Sequence, residues 1–301
     1  MRAGTICGGT RVASPRANLH SMYGKPTAPL SIGDTVRGSF GLWRASFKKV
    51  WLFNFIPQLL ASLLVFLRYP PASSLLSILV GLITLAFYNA LLARMDDVAV
   101  HGSMSFGNAL TRGCKRWART LLAAAIMALA VVPLAVLGAP ISEEVAAGSI
   151  PSISPSLALF MLVYGLALSF LVGRVFLVLP ILMLEDKSAW ASIRESWSLT
   201  RGHWWRCGTI LTILTLAIGA IYFLAGSIPA ILGVASLGVA SGIDLQGLIV
   251  GPRMLLSSEA LSLVLSTLTT PLLFAGLLVM YYDLVIRVHS TARRQQASAG
   301  A

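Results

Sequence analysis

The feature of the sequence that most constrains its fold is a series of six long apolar blocks. Each block is close to or above the roughly 20 apolar residues that a helix needs to cross a hydrocarbon core of about 30 Å. A run this long and apolar spans as a helix, because its backbone groups then bond to one another and need no water. We therefore predict an all-α integral membrane protein with six transmembrane helices, at Val50–Leu67, Ser73–Leu92, Thr120–Ala139, Leu157–Leu184, Ile210–Gly233 and Leu255–Ile286.

The composition argues against most soluble classes of protein. Only 11% of the residues are charged and 56% are hydrophobic, whereas a soluble domain carries about 25% charged residues. A water-soluble enzyme, a coiled coil and a disordered protein are therefore excluded. The net charge of +12 does not indicate nucleic-acid binding, because the basic residues flank the apolar blocks.

The distribution of basic residues predicts the orientation in the membrane. Most of the 23 lysines and arginines lie in the N-terminal segment, the 93–119 and 185–209 loops and the C-terminal tail. Loops rich in lysine and arginine stay in the cytoplasm. We therefore predict a multi-pass protein of the bacterial inner membrane with both termini in the cytoplasm.

Three cytoplasmic segments resemble one another and predict a repeated unit. Leu110–Gly113 and Leu199–Gly202 have the same four residues, and Leu42–Ala45 occupies the equivalent place in the first segment. Each segment is amphipathic at helical spacing, which is typical of a helix lying in the headgroup region. The predicted N-caps are Ser31, Ser105 and Ser188.

The repeat predicts a single six-span membrane domain over residues 31–290. Its three units, each an interfacial amphipathic helix followed by a transmembrane hairpin, cover about 31–94, 104–184 and 187–287. The basic segment 1–30 and the tail 291–301 are expected to be disordered. In the interfacial helices, the residues predicted to contact anionic lipid headgroups are Trp43, Arg44, Arg112, Trp197, Arg201 and Trp204.

Arg174 is the most unusual residue, because it lies near the middle of the fourth predicted span. A mid-span arginine costs at least about 2.5–3.5 kcal/mol on insertion scales, so it is expected to face the bundle interior and a partner. Two interpretations stay open: a site for an anion or lipid headgroup, and an internal tether that fixes helix packing. The candidate partners are polar groups of the first and sixth spans, namely Asn54, Gln58, Glu259, Asp283 and carbonyl groups freed by Pro271.

Asn54 and Gln58 lie four residues apart and therefore on one face of the first span. Two interpretations stay open for this pair as well. Its members line a polar groove, or they form hydrogen bonds that join neighbouring helices.

The sequence contains none of the common enzyme signatures. Metalloprotease, hydrolase, Walker A and dinucleotide-binding motifs are absent. The four histidines are scattered among different segments, whereas zinc usually takes three or four protein ligands. We therefore predict no catalytic residue, no metal site and no cofactor.

Several short motifs resemble a known membrane domain. They are Arg174, Leu179-Pro180, Glu185, Ser196-Trp197-Ser198-Leu199-Thr200-Arg201-Gly202 and the closing Tyr281-Tyr282-Asp283 with Arg287. The pattern resembles the membrane domain found with glycerophosphoryl diester phosphodiesterases, and its stand-alone bacterial relatives of unknown function. The resemblance covers about Ser31 to Arg287. It implies six helices and a role in the cell envelope. It implies no phosphodiesterase activity, because in those enzymes a separate soluble barrel domain performs hydrolysis.

Two functions are consistent with these features. The first is a non-enzymatic protein that acts at the cytoplasmic leaflet and organises either lipid or a protein partner. The partner is another protein or a second copy of the chain. The alternative is a transporter or channel for a small or amphipathic solute. If Arg174 lines the path of the solute, the solute is expected to be anionic.

Overall fold

A computed structural model of the protein describes residues 26, 28–66, 70–146, 155–237 and 252–299. These residues form helices and short connections, and no strand occurs among them. The helices, in chain order, are α1 (Ile32–Phe66), α2 (Pro70–Ala99), α3 (Phe106–Ala146), α4 (Pro155–Val175), α5 (Val178–Leu184), α6 (Ala189–Thr200), α7 (Trp204–Leu237) and α8 (Pro252–Ala299).

Four stretches of helix are long and apolar enough to cross a membrane. They correspond to the second, fourth, fifth and sixth predicted spans, and they run over Leu75–Ala99, Leu159–Leu184, Trp204–Ala225 and Glu259–Ser290. The first and third predicted spans fall in α1 and α3 and are not among these four, which were sought only among the described residues. An all-helical membrane protein is therefore supported, while six spans and three hairpins stay predictions.

Helix α8 is the centre of the bundle. In its most apolar stretch 67% of the residues are buried inside the protein, against 17% for the corresponding stretch of α7. Helices α1 and α7 approach α8 closely where small residues face them. A Cβ atom on Gly276 would lie 2.3 Å from Cδ1 of Leu214, so a larger residue would require the Leu214 side chain to move. The short helix α5 packs against α2, α3, α6 and α8, and it is buried there through Ile181, Leu182 and Met183.

The fourth predicted span is interrupted rather than continuous. Helix α4 ends at Val175, and α5 begins at Val178. Pro180 explains the break, because proline has no N–H to donate to the carbonyl of Phe176 and its ring would clash with that carbonyl. In the first turn of a new helix, proline is tolerated. Arg174 therefore lies in the last turn of α4, beside the break.

The three predicted interfacial segments differ in the structure, and their position at the membrane interface stays a prediction. Helix α6 is a separate helix, but the first two amphipathic segments are the N-terminal parts of the long helices α1 and α3. The difference lies at the end of the segment. Gly202 after α6 has φ +81° and turns the chain, whereas Gly113 continues the helix of α3.

The predicted N-caps are confirmed at the starts of three helices. Ser31 accepts a hydrogen bond from the N–H of Asp34 at 3.1 Å. Ser105 and Ser188 accept equivalent bonds, each at 3.3 Å, from Asn108 and Ala191. These bonds satisfy N–H groups that a helix start leaves unpaired.

At the chain ends, helix α8 continues to Ala299, past the predicted boundary at residue 290. The tail that was expected to be disordered is rich in alanine, arginine and glutamine, which favour a helix, and contains no glycine or proline before that point. The predicted N-terminal segment falls mostly outside the described residues.

Candidate functional site

Arg174 lies between aromatic rings at the junction of α4 and α6. Its guanidinium carbon is 5.1 Å from the ring centre of Phe170 and 5.3 Å from that of Trp197. Phe170 precedes Arg174 by one helical turn, and Trp197 comes from the middle of α6. Both distances are within the range of a cation–π interaction.

The backbone of Arg174 fixes α6 against α4. Its carbonyl oxygen accepts hydrogen bonds from Ser196 Oγ at 2.8 Å and from Thr200 Oγ1 at 3.4 Å. Ser196 and Thr200 are fully buried and lie four residues apart, so they form one face of α6. Because that face is fixed to the end of α4, the neighbouring Trp197 is held beside the guanidinium.

The guanidinium itself lacks hydrogen-bond acceptors. Its Nε and Nη1 atoms are buried, and neither has a hydrogen-bond partner in the part of the chain that the structure describes. Aromatic rings contact the face of a guanidinium, whereas its N–H groups point outward in the plane. The cation–π contacts therefore do not supply the hydrogen-bond acceptors that these two atoms lack.

The surroundings of Arg174 offset part of the cost of partly burying its charge. Each cation–π contact contributes about 0.5–2 kcal/mol, and the C-terminal end of α4 adds about 0.3–1 kcal/mol for a cation. Burying an uncompensated charge costs several kcal/mol. An oxyanion in the plane of the guanidinium would supply the missing acceptors.

Three of the predicted partners of Arg174 are engaged elsewhere. Asn54 donates to the carbonyl of Ser266 at 2.7 Å, and Gln58 donates to the hydroxyl of Tyr88 at 3.1 Å. The Asn54 contact joins α1 to α8, and it therefore agrees with the interpretation that these amides form hydrogen bonds between neighbouring helices. Glu259 and Asp283 form no described hydrogen bond or ion pair with Arg174. The five polar residues of the predicted site are therefore not brought together.

Asp283 is the centre of a separate and saturated cluster. Its carboxylate accepts hydrogen bonds from Arg206 Nε at 3.1 Å and Arg287 Nε at 3.0 Å, and from the N–H of Leu30 at 2.7 Å. Both arginines also donate to the carbonyl of Leu30. Because the Asp283 carboxylate and the Leu30 backbone groups all have partners within the protein, this cluster is suited to holding helices together.

A second ionic cluster links α5, α6 and α8. Glu185, at the end of α5, accepts a hydrogen bond from Tyr281. It also forms an ion pair with Lys187, whose Nζ lies 2.5 Å from Oε2 of Glu185. Lys187 also pairs with Glu195 of α6. Burial alone would raise the pKa of Glu185, but the bonds from Lys187 and Tyr281 outweigh it and lower that pKa. The same ion pairs outweigh burial at Lys187 and raise its pKa.

The predicted headgroup contacts fall into two groups. Trp197 and Trp204 join the Arg174 site, where both rings meet Phe170 edge to face at 6.2 and 5.7 Å. Trp43 lies elsewhere and donates to the carbonyl of Leu268 at 3.0 Å. Among the predicted cations, Arg44 and Arg201 are exposed and Arg112 is half-buried.

Sequence reasoning singled out Arg174 and Trp197 but did not place them in one site. Phe170 was not singled out at all, although its spacing of four residues from Arg174 places both on one face of a helix. Arg206 gave no signal, because its partner Asp283 is 77 residues away along the chain. The motif of α6 is explained by the site: Ser196 and Thr200 bind the backbone of Arg174, and Trp197 covers its side chain.

The apolar helices define the class as a multi-pass α-helical membrane protein. Within that class, residues 152–298 match the family model described as the membrane domain of glycerophosphoryl diester phosphodiesterase. The matched stretch contains Arg174, the α6 motif and the closing Tyr281–Arg287, so the predicted resemblance is confirmed over this part of the chain. No curated protein and no solved structure matches the chain.

Proposed function

We propose that this protein is a non-enzymatic component of the bacterial inner membrane that organises anionic lipid at the cytoplasmic leaflet. The observation that carries the proposal is the position of α6. This helix begins shortly after one candidate span ends at Leu184 and finishes shortly before the next begins at Trp204. A short helix between two such ends lies at the boundary between membrane and water.

The surface of α6 suits that boundary. Trp190 and Trp197 are 67% and 41% exposed, and Arg194 and Arg201 are exposed as well. Tryptophan is favoured at headgroup depth because its ring is apolar and its N–H is polar. Each nearby cation adds about 1 kcal/mol of attraction to an anionic leaflet. Exposed Arg44, on α1, carries a further charge of the same sign.

A structural role for the interior ionic groups supports a protein without catalytic activity. Asp283 and Glu185 are held by arginine, lysine and tyrosine side chains. A general acid or base needs free access to a substrate proton, and these carboxylates are already engaged. Transport is less well supported, because Asn54 and Gln58 bond to other helices and do not share a site with Arg174.

The test is lipid selectivity of the purified protein in nanodiscs that contain zwitterionic phosphatidylethanolamine and anionic phosphatidylglycerol. Native mass spectrometry would count the lipids retained by the wild type and by the variant R44Q/R112Q/R201Q. We expect the variant to lose several-fold of its preference for the anionic lipid. The control is R68Q/R253Q, which removes two charges from the predicted outer side and should retain the preference.

The proposal fails if the triple variant and the wild type retain the same lipids in the same proportions. A capture experiment in inner-membrane extract would then show whether those arginines instead hold a protein partner or a second copy. Loss of such a partner in the triple variant, with lipid selectivity unchanged, would replace lipid organisation with partner organisation as the function.

A further inference from the structure

We propose that Arg174, Phe170, Trp197 and Trp204 form a binding site for a phosphate group. The chemistry is that of a tetrahedral oxyanion, carried by a phospholipid headgroup or by free phosphate. The lipid source deepens the proposed function and rests on it, whereas phosphate binding itself does not. The site also differs in exposure from Arg44 and Arg201 of the lipid-organising surface, because those two arginines are exposed and Arg174 is partly buried.

The first argument is the supply of donors. Arg174 Nε and Nη1 are buried with no acceptor among the described residues. A guanidinium binds phosphate through N–H groups in its plane, so these two unpaired donors are the ones that an oxyanion would use. The nearby carboxylates do not compete, because Glu185 and Glu195 pair with Lys187 and Asp283 pairs with two other arginines.

The second argument is access from the membrane. The rings of Phe170 and Trp197 are each 41% exposed, so the guanidinium lies at the edge of the bundle rather than in a sealed core. The indole N–H groups of Trp43 and Trp117 donate to backbone carbonyls. Those of Trp197 and Trp204 have no such acceptor in the described chain, and they can donate to a headgroup.

The third argument is that the site is held rigidly. Ser196 and Thr200 bind the Arg174 carbonyl and fix Trp197 in place. Gly202, with φ +81°, then turns the chain so that α7 begins at Trp204, whose ring meets Phe170 at 5.7 Å. A site that is already formed loses less freedom when it binds a ligand.

The experiment compares the full-length protein with R174Q in a detergent that contains no phosphate. One arm titrates inorganic phosphate and follows ³¹P line broadening. The other arm titrates short-chain phosphatidylglycerol and measures its dissociation constant by native mass spectrometry. We expect R174Q to weaken binding in at least one arm by about tenfold or more, since charge-assisted hydrogen bonds are lost.

The matched control is R37Q, which removes an exposed arginine of α1 that belongs neither to this site nor to the lipid-organising surface, and it should change the same constants by less than about twofold. W197L keeps the charge and removes one ring, and it decides the question if R174Q does not fold.

Binding in the phosphate arm alone supports the site and separates it from lipid organisation. Binding in the lipid arm alone supports the site with a headgroup as its ligand. Equal affinity of wild type, R174Q and W197L for both probes would overturn the proposal, even if the triple surface variant loses its lipid preference.

Discussion

The carboxylate of Asp283 in α8 accepts a hydrogen bond from the backbone N–H of Leu30, 253 residues earlier in the chain, at 2.7 Å. The same carboxylate pairs with Arg206 of α7 and Arg287 of α8. Its side chain is only 2% exposed. One buried anion therefore joins the segment before α1 to the two helices that close the bundle.

Replacing Asp283 with asparagine should strongly destabilise the protein. The substitution keeps the size of the side chain but leaves two arginines without their counter-charge in a buried cluster. Removing one partner of a buried ion pair costs about 3–5 kcal/mol. The free energy of unfolding in micelles, measured by denaturant titration, should fall by this amount.

The control for this prediction is Asp186→Asn. Asp186 also pairs with an arginine, Arg119 at 2.6 Å, but its side chain is 63% exposed. Exposed ion pairs contribute only about 0–1 kcal/mol. Equal losses for the two variants would show that the Asp283 cluster is not shielded from water.

Two glycines in identical four-residue sequences should respond differently to alanine. A Cβ atom on Gly113 would lie 2.6 Å from the carbonyl oxygen of Ala86, so α2 and α3 must separate. Overpacking of this kind costs about 1–3 kcal/mol or more. Gly202 has open space around it but a positive φ, which costs alanine about 1–2 kcal/mol.

We therefore expect Gly113→Ala to lower the unfolding free energy more than Gly202→Ala does. A suitable reference is Gly107→Ala, because Gly107 lies on α3 with no neighbouring atom within 4 Å. Alanine favours a helix over glycine by about 0.8–1.0 kcal/mol, so this variant should be as stable as the wild type or more stable. An equal loss at Gly113 and Gly107 would contradict the close approach of α2 and α3.

This pair of glycines also shows what the sequence can and cannot predict. The identical residues in 110–113 and 199–202 predict equivalent amphipathic segments. They do not reveal that one segment continues into a long helix while the other ends in a turn. That outcome depends on tertiary packing, because Gly113 is held against α2 by contacts with residues more than 20 positions away.

The candidate site has the same division between local and distant information. A charged residue in an apolar block is evident from sequence, and the spacing of Phe170 and Arg174 is helical. Trp197 reaches Arg174 only because Pro180 interrupts the span and because α6 folds back onto the end of α4. The hydrogen bonds that fix this contact join residues 22 and 26 positions apart, and no periodic pattern encodes them.

Stability should depend on pH through the Glu185–Lys187 pair. The lowered pKa of Glu185 means that its contribution is complete above its ordinary value of 4.5 and is lost as the pH falls through the lower folded value. The raised pKa of Lys187 means that its contribution is complete below 10.5 and is lost as the pH rises beyond that value. The pair therefore stabilises the protein fully across neutral pH.

The variant Lys187→Gln tests this dependence. At pH 7 it should be less stable than the wild type, by on the order of 1 kcal/mol because the pair is partly exposed. The difference should shrink at a pH far enough below 4.5 to protonate Glu185 in the folded wild type, whose pKa is lowered. Thermal unfolding at both pH values measures it, with Lys115→Gln, at an exposed position on α3, as the reference. A difference that is independent of pH would show that Lys187 acts through packing alone.

The substitution Arg174→Met should change the sign of its effect with the surroundings of the protein. In a detergent without phosphate, the guanidinium is destabilising because its buried Nε and Nη1 atoms have no acceptor among the described residues. Methionine has a similar length and removes these atoms. Replacing buried charge by well-packed apolar groups is often neutral or stabilising by about 1–4 kcal/mol, and the lost cation–π contacts with Phe170 and Trp197 reduce that gain. We therefore expect the variant to be as stable as the wild type or slightly more stable.

In saturating phosphatidylglycerol the order should reverse, because a ligand at 100 times its dissociation constant stabilises only the protein that binds it, by about 2.7 kcal/mol. Unfolding midpoints of both proteins in both conditions measure the effect. A wild type that is more stable by the same margin with and without the lipid would show that Arg174 contributes to packing rather than to binding.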